Sequence, residues 1–163
     1  MSNHAGKRIA LALGGNLGQP AATFQRACEM LLDGGVSDLQ MASCLQSEAV
    51  GCHPGTPSFT NSAVTGLWNG TAQQLLKLTQ NIEVRLGRPQ QHDSQGSRSI
   101  DIDILLVDDL ILDSPRLCIP HPRMCQRLFV LQPLAEIAAD WMIPGSRKTV
   151  RAHLQELLQK KTP

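Results

Sequence analysis

The order of strand-like and helix-like segments is the feature that most limits the fold of this 163-residue chain. Some segments show the short apolar runs or alternation of strands, and others repeat apolar residues at helical spacing. In chain order, the segments are a strand at 8–13, a helix within 21–35, strands at 36–47 and 59–68, a helix at 71–86 and a strand at 100–107. This β-α-β-β-α-β order is typical of a ferredoxin-like α/β (α+β) sandwich, in which helices pack on a mainly antiparallel sheet. We therefore predict one domain that covers 1–163.

Local signals indicate where the helices begin and end. The pair Gly34–Gly35 ends the first helix, and Thr71 with Gln74 forms a capping box at the start of the second. Five residues of the first helix are predicted to share its buried face: Phe24, Ala27, Cys28, Leu31 and Leu32. Beyond the last strand we expect an irregular segment over 108–128 and a short final helix near 149–159.

Composition argues against several classes of protein. The net charge is +1, so no bulk attraction to nucleic acid or to a membrane surface is expected. The N-terminal apolar run covers only 9–13, which is too short for a signal peptide or a membrane span. The five cysteines include no C-x-x-C pair, which favours reduced thiols over disulfides or zinc. We therefore expect a cytoplasmic protein.

The last strand, "IDIDILLV", contains two acidic residues. Because strand side chains alternate between faces, Asp101 and Asp103 share one face, and the three isoleucines that alternate with them, at 100, 102 and 104, share the other. Two neighbouring carboxylates repel each other unless a cation neutralises both. The pair is therefore either a solvated strand end or a site for Mg²⁺, which binds one or two carboxylates together with phosphate oxygens and water. The spacing alone leaves both interpretations open.

Arginines concentrate around this acidic pair. Six of them fall between positions 85 and 127, an interval without lysine: Arg85, Arg88, Arg98, Arg116, Arg123 and Arg127. Arginine is favoured where planar, bidentate contact with phosphate is needed, although some of these side chains are expected to be ordinary solvated arginines. The chain has no Walker A sequence, and "GGNLG" is not a G-x-G-x-x-G motif. A bound nucleotide would therefore be held by side chains and metal.

The segment 119–134 is the third stretch whose side chains could take part in binding or catalysis. Two prolines bracket His121 and restrict the backbone there. Arg123 and Arg127 are four residues apart, so on a helix they would face one site. A lone histidine is more often structural than functional, and at this point both interpretations of His121 stay open.

Five sequence motifs occur in this order along the chain: "ALGGNLG", "FTNSAV", "IEVRLGR", "SRSIDIDILL" and "IPHPRMCQRLFVLQPLAEIA". Together they resemble the 6-hydroxymethyl-7,8-dihydropterin pyrophosphokinases of folate biosynthesis. The resemblance implies a ferredoxin-like fold and transfer of pyrophosphate from ATP to the pterin alcohol, with AMP as the other product. It also implies two Mg²⁺ ions, a monomer, and only small-molecule partners, ATP and 6-hydroxymethyl-7,8-dihydropterin, with neither nucleic acid nor membrane.

The resemblance also implies roles for individual residues. The metal ligands would be Asp101 and Asp103, which with Arg88 and Arg98 form the expected catalytic set. The ATP contacts would be Gln80, Glu83, Arg88, Arg98, Ile104, Arg116, His121 and Arg127. The pterin contacts would be Ser47, Ala49, Val50, Phe59, Asn61 and Phe129. Within this last set the two phenylalanines would sandwich the ring and Asn61 would read its polar edge.

Two other classes of function remain as alternatives. A β-α-β-β-α-β domain with arginines could be an RNA-binding module, but this chain lacks the R-G-F-like strand motif and has only three Phe, two Trp and no Tyr. A catalytically weakened paralogue could bind nucleotide or pterin as a regulator. Release of AMP that depends on the pterin alcohol separates both alternatives from the enzyme.

Overall fold

The computed structural model describes residues 6–48, 54–87 and 99–161. Its helices are α1 (Pro20–Asp33), α2 (Ala72–Arg85), α3 (Leu128–Ala138) and α4 (Val150–Lys161). Its longer strands are β1 (Lys7–Gly15), β2 (Ser37–Met41), β3 (Leu45–Ser47), β4 (Phe59–Trp68) and β5 (Asp101–Val107). Four two-residue strands form two small hairpins: β6 (Leu112–Asp113), β7 (Cys118–Ile119), β8 (Met142–Ile143) and β9 (Lys148–Thr149).

One antiparallel sheet organises the described part of the chain. Its strand order is β2-β4-β1-β5, with β3 also paired to β4. The central strand β1 pairs with β4 along its whole length and with β5 from Ile9 to Gly14. This order, with helices on the sheet, confirms the predicted ferredoxin-like α/β class.

The prediction of a single strand over 36–47 was wrong, because β2 and β3 are separated by residues 42–44. The chain leaves the regular ladder at Ser43, whose amide and hydroxyl both donate to the carboxylate of Glu136 on α3. A side-chain partner from another layer therefore replaces the strand bond at this position.

Helices α1 and α2 cover one face of the sheet. The core between them contains Ile9, Leu11 and Leu13 of β1 together with Phe24 and Leu31 of α1. The predicted buried face of α1 is correct except at Leu32, which is 50% exposed. The helix ends at the predicted place, where the Gly34 amide bonds to the Met30 carbonyl and Gly35 takes the positive φ of 111° that glycine tolerates.

Helices α3 and α4 cover part of the opposite face, around a second core that contains Leu105, Leu106 and Leu131. The final helix was predicted near its observed place, but α3 was not predicted. Arg123 and Arg127 do not lie on one α-helix, because the two residues flank a short 3₁₀ turn. That they face one site stays a prediction. Among the described residues, no helix is long and apolar enough to cross a membrane.

A β-bulge distributes the side chains of β5 between the two cores. Leu11 pairs with Ile104 while Ala10 pairs with Leu106, so Leu105 is an extra residue in the ladder. Ile102 and Ile104 pack under α1 and α2, whereas Leu105 and Leu106 pack under α3. The predicted alternation therefore holds over the acidic end of the strand and changes only beyond it.

The capping box of α2 provides a test of local stability. The Thr71 hydroxyl accepts from the Gln74 amide at 3.1 Å, and the Gln74 side chain accepts from the Thr71 amide at 2.8 Å. Thr71→Ala should lower the free energy of unfolding by about 1 kcal/mol, because one helix-end amide loses its acceptor. Urea unfolding followed by circular dichroism measures this change. Thr71→Ser is the matched control and should remain near wild type; an equal loss in both variants would contradict the assignment.

Candidate active site

A cleft of about 590 Å³ opens on the face of the sheet that α3 covers only in part. Its floor is formed by Ala12 and Gly14 of β1, and its sides come from β3, β4, β5 and the beginning of α3. Gly14 pairs with Asn61 on one side and with Asp101 on the other, so the three residues form one row across the sheet. A Cβ at position 14 would lie 3.4 Å from the Asn61 side-chain oxygen. Glycine therefore keeps the middle of the row open.

The two aspartates lie together at one side of the cleft, as predicted. Asp101 and Asp103 both line it and both are partly exposed. Within 6–48, 54–87 and 99–161, no group of three or more His, Cys, Asp or Glu side chains is arranged to hold a metal ion. Two carboxylates without further protein ligands suit Mg²⁺, which completes its coordination with water and phosphate oxygens. The donor set therefore fits a magnesium ion that binds together with a phosphate-bearing ligand.

Two phenylalanine rings border the same cleft. Phe59 comes from the first position of β4, and Phe129 comes from the first turn of α3. The side-chain amide of Asn61 donates to the Ser47 hydroxyl at 2.7 Å and to the Leu45 carbonyl at 3.4 Å. Since these bonds occupy its nitrogen, the amide oxygen turns toward the floor beside Gly14. The cleft thus combines aromatic rings with an oriented hydrogen-bond acceptor.

A side-chain contact connects two of the elements that border the cleft. The Glu136 carboxylate of α3 accepts from the Ser43 amide at 3.1 Å and from the Ser43 hydroxyl at 2.6 Å. These bonds lower the pKa of Glu136 below its ordinary value, because they stabilise the ionised carboxylate. The contact ties the residues just before β3 to the helix that carries Phe129.

Basic and amide side chains complete the cleft. Arg127 lines it, with its guanidinium carbon 5.6 Å from the centre of the Phe129 ring. Four further polar residues that line the cleft were not predicted from the sequence: Gln46, Gln126, Gln132 and Lys161. No sequence signal separates these four from ordinary surface residues, because only the packing of α3 and α4 brings the last three to the cleft.

His121 lies beside β5 and near the acidic pair. Its amide donates to the Leu105 carbonyl at 3.0 Å, and its Nδ1 accepts from the Arg123 amide at 3.1 Å. Burial lowers the pKa of His121; the charge of Asp103 opposes this shift, and the charges of Arg127 and Arg123 add to it. The imidazole is therefore neutral at neutral pH, with its proton on Nε2, where it can donate a hydrogen bond.

Four other predicted ATP contacts do not line the cleft. Gln80 is exposed on α2, and Arg116 is exposed between β6 and β7. Glu83, also on α2, accepts a hydrogen bond from the Ile102 amide of β5. The Ile104 side chain is buried in the core under α1 and α2, so only its backbone could meet a ligand. The remaining predicted residues lie outside the described part of the chain: Arg88, Arg98, Ala49 and Val50.

Comparison with known proteins identifies the family. The model of the 7,8-dihydro-6-hydroxymethylpterin-pyrophosphokinase family matches residues 10–139. The chain belongs to this family. Two relatives named 2-amino-4-hydroxy-6-hydroxymethyldihydropteridine pyrophosphokinase illustrate the match. The protein of Synechocystis is 38% identical over 141 residues, which are 86% of this chain and 71% of the relative. The protein of Pseudomonas aeruginosa is 37% identical over 153 residues, which are 93% and 90% of the two chains.

Solved structures support the fold of this pyrophosphokinase-family chain. A crystal structure of a single-substitution variant of Plasmodium falciparum HPPK-DHPS with pteroate matches 98% of this chain with a TM-score of 0.71 and 13% sequence identity. The wild-type crystal structure from the same organism matches equally well, again with a TM-score of 0.71. This chain spans 44% and 42% of those two longer chains.

The position of His121 predicts how it titrates. In an NMR titration its pKa should fall below the ordinary value of 6.5. Asp103→Asn should lower that pKa further, because it removes a negative charge that stabilises the imidazolium. His153, which lies near Glu156 and Lys148, is the internal control and should not respond to this substitution. An unchanged His121 titration in Asp103→Asn would contradict the proximity of the two side chains.

Proposed function

We propose that this chain transfers pyrophosphate from ATP to 6-hydroxymethyl-7,8-dihydropterin and so contributes one step to folate biosynthesis. Membership of the pyrophosphokinase family and the names of the relatives support this activity. The geometric observation that carries it is the single cleft in which a carboxylate pair faces an oriented amide and two aromatic rings. Nothing in the sequence comparisons favours an RNA-binding module or a non-catalytic regulator.

The pterin would occupy the end of the cleft near Asn61. The rings of Phe59 and Phe129 border that end and can pack on a flat heterocycle. The Asn61 oxygen can accept from ring N–H groups, and Ser47 holds the amide in that orientation. Family resemblance adds Ala49 and Val50, which lie outside the described residues, as contacts through their backbone groups. Position 14 supports this placement, because a side chain there would fill the space under the ring.

The acidic pair would hold the metal. Asp101 and Asp103 supply hard oxygen ligands on one strand face, which suits Mg²⁺ that arrives with ATP. We propose two such ions, which when bound would neutralise phosphate charge and favour ionisation of the pterin hydroxyl. The carboxylates themselves would orient the phosphates relative to the cleft.

The remaining proposed contacts follow the outer edge of β5. Gln80 lies on α2, whose Glu83 bonds to the Ile102 amide of that strand, and the His121 amide bonds to the Leu105 carbonyl of the same strand. With Ile104 and Arg116, Gln80 and His121 would bind the nucleotide along this edge. Arg127, which lines the cleft, would bind the phosphate groups between nucleotide and pterin.

The reaction needs no protein nucleophile. The pterin hydroxyl oxygen forms a bond to the β-phosphorus, the bond from that phosphorus to the α–β bridging oxygen breaks, and AMP leaves with the bonding electrons. The hydroxyl proton passes to solvent, and the pterin diphosphate is the second product. Arg88, Arg98, Arg127 and the Nε2–H of His121 are the proposed donors to the oxygens on which negative charge develops.

Three expectations from the sequence stay predictions: the single-domain organisation, the monomeric state and the cytoplasmic location. The two small-molecule substrates are consistent with the family.

The acidic pair can be tested by substitution. Asp101→Ala and Asp103→Ala should each reduce pterin-dependent AMP release to near background, because the metal that binds the phosphates loses one of its carboxylate ligands. Circular dichroism should show that both variants remain folded. Asp109→Ala, at an exposed position in the turn that follows the same strand, is the matched control and should keep its activity. Normal turnover in either cleft variant would refute the metal assignment, and absence of AMP release by the wild type would refute the activity itself.

The aromatic wall predicts a selective loss of affinity. Phe129→Ala should weaken pterin binding about tenfold or more, since stacking contributes on the order of 1–3 kcal/mol for each ring, and it should change ATP affinity much less. Isothermal titration calorimetry with each ligand measures both constants. Ile137→Ala, on the same helix but packed against the second core, should leave both affinities near wild type. Equal losses for pterin and ATP in Phe129→Ala would show that the ring only supports the fold.

A further inference from the structure

The outer edge of β5 carries a hydrogen bond that the proposed chemistry does not use. In the described sheet β5 pairs with β1 only, so its other side is an edge. Edge strands present backbone amides that need partners from elsewhere. The Ile102 amide finds one in Glu83, whose Oε1 accepts from it at 2.8 Å. Ile102 is the residue between the two cleft aspartates.

We propose that Glu83 is a positioning residue that orients Asp101 and Asp103 through the backbone amide between them. The inference rests on the proposed function, because it assigns a purpose to the orientation of the two carboxylates. It differs from the role implied by family resemblance, in which Glu83 contacts the nucleotide directly.

The apolar contacts of β5 cannot supply this orientation alone. Ile100, Ile102 and Ile104 are at most 4% exposed and hold the strand against α1 and α2. Such packing is non-directional and fixes the depth of the strand more than its rotation about its own axis. A hydrogen bond to a carboxylate is short and directional, so it limits that rotation. Because side chains alternate, a rotation at Ile102 would swing both neighbouring carboxylates.

Glu83 is itself held on a well-anchored support. It lies in the last turn of α2, directly after Ile82, which is 1% exposed in the core. Leu75 and Leu86 anchor the same helix in that core. The core under α1 and α2 therefore holds α2 in place, and α2 holds Glu83. Glu83 in turn bonds to the Ile102 amide between the two aspartates. Partners behind metal ligands typically change metal affinity or activity by about 10–100-fold when removed.

Two variants separate positioning from a direct ligand contact. Glu83→Gln keeps a side-chain oxygen that can accept from the Ile102 amide but loses the charge, so it should behave much like the wild type. Glu83→Ala removes the acceptor while keeping a strong helix former. The matched controls are Glu29→Gln and Glu29→Ala, which make the same changes at an exposed position on α1.

The first measurement needs no ligand. Hydrogen exchange of the Ile102 amide, followed by NMR in the free protein, should accelerate about tenfold or more in Glu83→Ala and change little in Glu83→Gln and both controls. The second measurement is the affinity of Mn²⁺, as a paramagnetic substitute for Mg²⁺, in the presence of a non-hydrolysable ATP analogue. It should fall about tenfold in Glu83→Ala only, with pterin affinity in the absence of nucleotide unchanged.

Three results would overturn the proposal. Unchanged Ile102 exchange in Glu83→Ala would show that the bond does not hold the strand. Unchanged Mn²⁺ affinity would show that the orientation does not matter to the metal, and equal losses in the Gln and Ala variants would assign Glu83 to direct contact with a ligand. If Glu83→Ala does not fold, Glu83→Met takes its place in each comparison. Failure of the wild type to release AMP would refute the proposed function but not the exchange result, so the two failures are distinguishable.

Discussion

The pairing of β1 with a strand on each side is the constraint on which the rest of the structure depends. Its apolar residues Ile9, Leu11 and Leu13 are buried under α1 and α2, and each such burial contributes about 1.5–3 kcal/mol. The register that buries them also sets Asn61 and Asp101 on either side of Gly14. A slip by one residue would turn the acidic residues of β5 toward the core and its isoleucines toward the cleft. The energy that stabilises the sheet therefore also assembles the site.

The two faces of this sheet serve different purposes. Helices α1 and α2 cover one face with a large core, whereas α3 and α4 close a second core over only part of the other face. The cleft lies over the part of this second face that α3 does not cover. The beginning of α3 then supplies Phe129 and Arg127 to the wall, so one helix both seals the core and borders the ligand space.

Short-range patterns predicted much of this arrangement. The alternation of β5 predicted that Asp101 and Asp103 share a face, because backbone geometry fixes that outcome locally. Helix α3 escaped prediction because Pro133 lies inside it and argues against a helix interior, although buried apolar packing offsets the missing hydrogen bond. The Ser43–Glu136 contact, which interrupts the strand predicted over 36–47, joins residues 93 positions apart and leaves no sequence pattern. Lys161 likewise reaches the cleft only through the docking of α4.

The row of Asn61, Gly14 and Asp101 fixes the distance between the two ends of the cleft. Two strand-to-strand steps separate the amide from the first carboxylate, which is about 10 Å along the hydrogen-bonding direction. A molecule recognised at one end and phosphorylated at the other has to match that span. A fused two-ring heterocycle with a one-carbon arm has such a length, whereas a single ring would leave its reactive oxygen short of the carboxylates. Size selection would then be a property of backbone spacing, which side-chain substitutions cannot easily change.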